Sequence, residues 1–98
     1  MQINATRSGA VLILALEGRL DANTSPELGS ALKNSISGID SLVLDFSKVD
    51  YVSSAGLRAL LIAHKLMSAQ GNMKVTNINE GVMEILKMTG FADILTIE

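Results

Sequence analysis

At 98 residues the chain has the length of one domain, 1–98, built around a single hydrophobic core, and the absence of cysteine excludes disulfides and thiolate metal sites. Eight Lys and Arg against ten Asp and Glu give a formal net charge of −2, which excludes the basic field that holds nucleic acid by counterion release. Three aromatics, Phe46, Tyr51 and Phe91, offer no stacking platform for bases, and the apolar run Val11–Leu16 is far shorter than the ~20 residues that cross a bilayer, so no membrane insertion and a cytoplasmic setting are expected.

Met1 to Ala5 alternates weakly and reads as an edge strand, and the Arg7-Ser8-Gly9 turn leads into Val11–Leu16, a continuous apolar run that reads as a strand buried on both faces. Thr24, spaced for a capping box with Glu27, and Pro26 in the first turn predict a helix start; Leu28, Ala31, Leu32 and Ile36 follow at helical spacing up to Gly38. Ser41–Phe46 repeats the buried-strand pattern. A long helix is predicted from about Ser54 to Gln70, with Gly71 in the position of a left-handed cap. Its polar stripe, Arg58, Lys65 and Ser68, is narrow, so the helix is either mostly covered or leaves apolar surface for a partner. Met73–Thr76 reads as a further strand, Asn79 or Glu80 to Met88 as a helix stopped at Gly90, and Ile94–Ile97 as a last strand. Strand–helix alternation implies an α/β fold whose sheet is parallel apart from the opening hairpin.

Enzyme constellations are missing. The single histidine, His64, falls about ten residues beyond Ser53 and Ser54, roughly 15 Å along a helix at 1.5 Å per residue, too far to act on them as a general base. No Gly-rich phosphate loop with a following Lys-Ser/Thr occurs, and Asp45 and Asp50 lack a third acidic or imidazole ligand, so no cofactor and no metal are assigned. Asp45 reads as a ligand of loop backbone groups. Met67, Met83 and Met88 sit at apolar helix positions as packing residues.

The run Val49-Asp50-Tyr51-Val52-Ser53-Ser54-Ala55-Gly56-Leu57-Arg58 carries the functional signal. It delivers two adjacent hydroxyls to a helix start, where unpaired N–H groups and a partial positive charge favour an oxygen cap and tolerate a phosphate. Together with Gly18-Arg19-Leu20-Asp21-Ala22-Asn23-Thr24 and Leu44-Asp45-Phe46-Ser47-Lys48-Val49, its order and spacing resemble the STAS-domain anti-sigma factor antagonists of bacteria over nearly the whole chain. The family turn reads Asp-Ser-Ser/Thr-Gly-Leu-Gly, with the serine after the aspartate as phosphate acceptor. With Gly56-Leu57 in register, Ser53 takes the aspartate position and Ser54 the acceptor position, Ser53 being the alternative acceptor; the acidic residue is absent, and Arg58 replaces the last glycine.

The resemblance implies a STAS-like mixed, mostly parallel sheet of about five strands with an N-terminal antiparallel hairpin and about three helices. It also implies a protein that is not an enzyme but a substrate. Unmodified, it would bind an anti-sigma factor serine kinase and release the sigma factor; phosphorylation of Ser54 would switch binding off, and a PP2C-type phosphatase would restore it. Partner-binding residues implied by the match are Asp21, Thr24, Ser53, Gly56, Leu57 and Arg58. A second role compatible with the same fold is that of a STAS accessory subunit of an ABC-type lipid transporter ATPase, in which Ser54 only caps.

Overall fold

The computed structural model describes all 98 residues. The chain runs through β1 (Gln2–Ser8), β2 (Val11–Leu20), α1 (Ser25–Ser35), β3 (Ser41–Val52), α2 (Ser54–Ser68), β4 (Asn72–Thr76), α3 (Glu80–Met88), α4 (Phe91–Ile94) and β5 (Thr96–Ile97). The strands form one sheet in the order β1-β2-β3-β4-β5, with β1 antiparallel to β2 and every other pair parallel. This is the mixed sheet with an opening hairpin expected from the sequence. It carries one helix more than the three expected, because Phe91–Ile94 coils into a single turn and leaves only two residues for the last strand.

Side chains alternate along the strands. Leu12, Leu14 and Leu16 of β2, Leu42, Leu44 and Phe46 of β3, and Met73 and Val75 of β4 point to one face and merge there with Leu28, Leu32, Leu57, Leu60, Ala63, Met67, Val82 and Leu86 from the helices in a single core of 21 buried residues. All the large helices therefore cover one side of the sheet. The opposite side is open, with Ile13 at 37% exposure beside a partly exposed Val43, so the two apolar runs read as buried on both faces are buried on one. Their outward positions include the β-branched Val11, Ile13 and Val43, which give strand propensity without requiring burial.

β3 is twice as long as the apolar run that marks it. Its register with β2 slips between Ala15 and Glu17 and again between Gly18 and Arg19, each slip placing an extra residue on β3. The inward positions after Phe46 are thus three apart, Val49 and Val52, instead of two. Both strands consequently reach the same end of the sheet, with Leu20 beside Val52.

Gly71 does not adopt the left-handed conformation expected of it. Its role is close approach: a Cβ there would overlap the backbone of Asp40, whose carbonyl accepts the Asn72 N–H at 3.0 Å. Gly71→Ala is therefore expected to cost about 1–3 kcal/mol, the scale of an overpacked contact, in a urea unfolding titration. Gly29→Ala, in exposed helix with nothing within 4 Å, should stabilise by about 0.5–1 kcal/mol.

Candidate functional site

The β2–α1 loop and the β3–α2 turn emerge side by side from adjacent parallel strands, at the strand ends where open α/β sheets gather their ligands. Two contacts weld them together. The Ser53 N–H donates to the Leu20 carbonyl at 2.9 Å, and Gly56, buried in the first turn of α2, lies so close to Leu20 that an added Cβ would collide with that same carbonyl and crowd Leu20 Cγ and Val52 Cγ1, each at 3.0 Å. Gly56 and Leu57, the latter 7% exposed, thus anchor the turn from beneath.

Ser53 is the N-cap of α2: its backbone is extended (φ −86°, ψ 176°) and its Oγ accepts the Gly56 N–H at 3.2 Å. Ser54 is the first helical residue and is exposed, with no intramolecular hydrogen bond on its hydroxyl. One serine is occupied as a cap while its neighbour presents a free alcohol. Arg58 is exposed one turn further along, at the i, i+4 position from Ser54.

Across the weld, Asp21 organises the other loop. Its Oδ1 accepts the N–H groups of Asn23 at 2.9 Å and Thr24 at 3.1 Å, and its Oδ2 lies 3.7 Å from Arg19 Nε. Partial desolvation pushes the carboxyl up, but the Thr24 and Asn23 N–H groups, the Thr24 hydroxyl and the Arg19 charge outweigh it and hold Asp21 below the usual carboxylate range. Thr24 does not form the expected capping box. Its Oγ1 accepts the Asp21 N–H at 2.9 Å and donates to the Arg19 carbonyl at 2.6 Å, closing the loop on itself instead of capping α1. Arg19 also stacks over Tyr51, 4.4 Å from the ring centroid, bridging the two strand ends.

Two further residues of this region carry no mark in the sequence, Tyr51 and Ser25, whose Oγ donates to the Asp21 carbonyl at 2.6 Å. Tyr51 was hidden because the period-two pattern breaks before it. Asp45 accepts from Asn77 Nδ2 at 3.0 Å and from the Ser47 N–H at 2.9 Å, and these bonds, the Asn77 one foremost, lower its pKa, in keeping with a role in ordering loops. His64 is half-buried on α2 and stands apart from both serines.

The STAS domain family model matches residues 2–98. BtrV of Bordetella bronchiseptica, assigned as an anti-sigma factor antagonist, is 30% identical over 99 residues, covering 99% of this chain and 85% of BtrV. The anti-sigma F factor antagonist of Paenibacillus polymyxa is 30% identical over 100 residues, covering 99% of this chain and 86% of that protein. Among solved structures, the anti-sigma factor antagonist SpoIIAA in its unphosphorylated form superposes with a TM-score of 0.84 at 14% identity, over 99% of this chain and 88% of SpoIIAA. SpoIIAA from Bacillus in the phosphorylated form gives 0.75 at 13% identity, over 99% and 91%.

Because the folded-state pKa of Asp21 is lowered, the stability it contributes is complete above the unfolded value of about 4 and is lost as pH falls through the folded value. Asp21→Asn should reduce the melting temperature at pH 7. Between about pH 4 and pH 2 the variant should lose less further stability than the parent, a difference read by thermal unfolding followed across pH.

Proposed function

Because the chain belongs to the STAS domain family, we infer that it is an anti-sigma factor antagonist that works as a phosphorylation-switched docking module, with Ser54 as the phosphate acceptor. The observation that carries this reading is the division of labour in the turn: Ser53 Oγ is engaged by the Gly56 N–H, while the Ser54 hydroxyl is exposed and unengaged. The existence of SpoIIAA in unphosphorylated and phosphorylated forms supports a fold that tolerates the modification.

In the unmodified state the protein binds an anti-sigma factor serine kinase through the surface around Asp21, Thr24, Ser53, Ser54 and Arg58, with Gly56 and Leu57 holding the turn in place. Sigma factor is released by that competition. The chain is the kinase's substrate and supplies no catalytic group, and a PP2C-type phosphatase resets it in the cytoplasm. A phosphate on Ser54 adds about −1.5 to −2 charges at the centre of the contact. A charge of that size, desolvated or set against acidic partner groups, readily exceeds the ~1.4 kcal/mol that changes an affinity tenfold.

The phosphate sits where the fold can carry it. At the first position of α2 it meets the positive end of the helix dipole, and Arg58 is within reach one turn on. The modification therefore acts on the interface and leaves the backbone in place.

Ser54→Ala should abolish labelling by the kinase and retain its binding. Ser53→Ala should retain labelling at position 54 but lose the cap, at about 1 kcal/mol of stability. Ser54→Asp should bind the kinase at least tenfold more weakly while melting no lower than the parent, since a first-turn carboxylate favours the helix. Phosphosite mass spectrometry, calorimetric titration and thermal unfolding check all three, and undiminished labelling of Ser54→Ala would remove Ser54 from the switch.

A further inference from the structure

A groove of about 600 Å³ runs between α1 and α2, opening beside the two loops of the candidate site. Buried Leu28 and Leu32 floor it, and Ile36, Ala59, Ile62 and Leu66 form its sides. Ile62 and Leu66 are 54% and 47% exposed, on the helix whose polar stripe is too narrow to shield it. Apolar side chains of this size, exposed side by side, gain free energy when another molecule takes them out of water.

The charge of the groove is more selective than its shape. Its two charged lining residues are both cations, Lys33 on α1 and Arg58 on α2, although the chain as a whole carries a net charge of −2. α2 contains no acidic residue, and the single acid of α1, Glu27, is paired with the N-terminal amine at 3.4 Å. Polar groups that would orient a small ligand are otherwise limited to Ser25.

Gly29 is a further sign. It sits inside α1, where glycine costs roughly 0.5–1 kcal/mol relative to alanine, yet a Cβ there would meet nothing within 4 Å. Packing within this chain does not require it. Gly29, Ala55 and Ala59 instead leave one end of the groove shallow-walled, so that another backbone can come close, while Ile36, Ile62 and Leu66 grip side chains at the other end.

We propose that this groove receives an amphipathic α-helix of the partner protein, apolar at i, i+3, i+4 and i+7 and flanked by Asp or Glu that pair with Lys33 and Arg58. This rests on the reading of the protein as an anti-sigma factor antagonist and specifies the chemistry of the partner surface. α1 has 11 residues, about 16 Å at 1.5 Å per residue, so the bound helix has about three turns. Ala22, Ser25, Ala55 and Arg58 line the groove and flank Asp21 or Ser54, making groove and switch one continuous contact. Arg58 then has two anionic suitors: a carboxylate of the docked helix, or a phosphate on Ser54 that draws it away.

The test uses the full chain and the purified anti-sigma factor serine kinase of the same organism in calorimetric titrations, with melting temperatures recorded for each variant. Ile62→Asp with Leu66→Asp should weaken binding at least tenfold, and Lys33→Glu severalfold. Met88→Asp, at a residue 79% exposed on α3 outside the groove, should leave affinity unchanged. A photoreactive residue at position 62 should crosslink to an apolar, carboxylate-flanked helical peptide of the kinase. Should the double variant lose its fold, Lys33→Glu and the crosslink decide the matter.

Unchanged affinity of the groove variants, with Ser54→Asp still binding weakly, overturns the groove and leaves the switch standing. No binding by the parent chain removes both. Capture of a dansyl-labelled fatty acid that the double variant loses, with kinase affinity intact, assigns the groove to lipid and equally overturns the proposal.

Discussion

Between the end of β2 and the first turn of α2 there is room for a glycine and nothing larger. Gly56 fills that gap, and the Ser53 N–H reaches across it to the Leu20 carbonyl, so the start of α2 is fixed to a strand that is itself held in the core by Leu12, Leu14, Leu16 and Leu20. Everything functional about this end of the sheet follows from the junction. It orders the Ser53 cap, sets Ser54 on the outside, and places the Asp21 loop alongside without any direct bond between Asp21 and Ser54.

The junction divides roles among residues that are adjacent in sequence. Ser53 and Ser54 are chemically identical, but the extended backbone of the first aims its oxygen at the Gly56 N–H, and helical geometry leaves the second in solvent. Asp21 and Thr24 repeat the pattern on the other side: both are consumed in holding the loop, through bonds to Asn23, Thr24 and Arg19. A modification added to so fixed a frame alters charge at the surface more readily than it alters conformation.

Much of this was legible in the chain itself. Strand–helix alternation after an opening hairpin yields a sheet that is parallel beyond its first pair, and Ser-Ser-Ala-Gly-Leu after an apolar strand marks a capped helix start. What escaped was governed by contacts distant in sequence. The bulges that extend β3 to Val52 change the inward spacing from two residues to three, which no single periodicity detects. Thr24 and Glu27 have capping-box spacing, yet the Asp21 N–H occupies the Thr24 oxygen that would cap the helix, while the Arg19 carbonyl takes its proton. Gly71 follows a helix as a left-handed cap does, but the approach of Asp40 is what demands it. The apolar runs of β2 and β3 look buried on both sides because β-branched residues such as Val11, Ile13 and Val43 suit a strand whether or not a helix covers them. The groove was foreshadowed by the narrow polar stripe of α2, while its cationic lining emerged only when α1 added Lys33 to Arg58.

In the proposed switch the Leu20–Ser53–Gly56 junction is a rigid mount on which phosphate is displayed. Amide hydrogen exchange on the chain carrying phosphoserine at position 54, installed by genetic-code expansion, tests it directly. On a rigid mount the Ser53 and Leu57 amides, bonded to the Leu20 and Ser53 carbonyls, should exchange as slowly as in the unmodified chain. Loss of protection at these amides on modification would contradict it, for the switch would then be a local unfolding of the helix start and not a change of charge on a fixed surface.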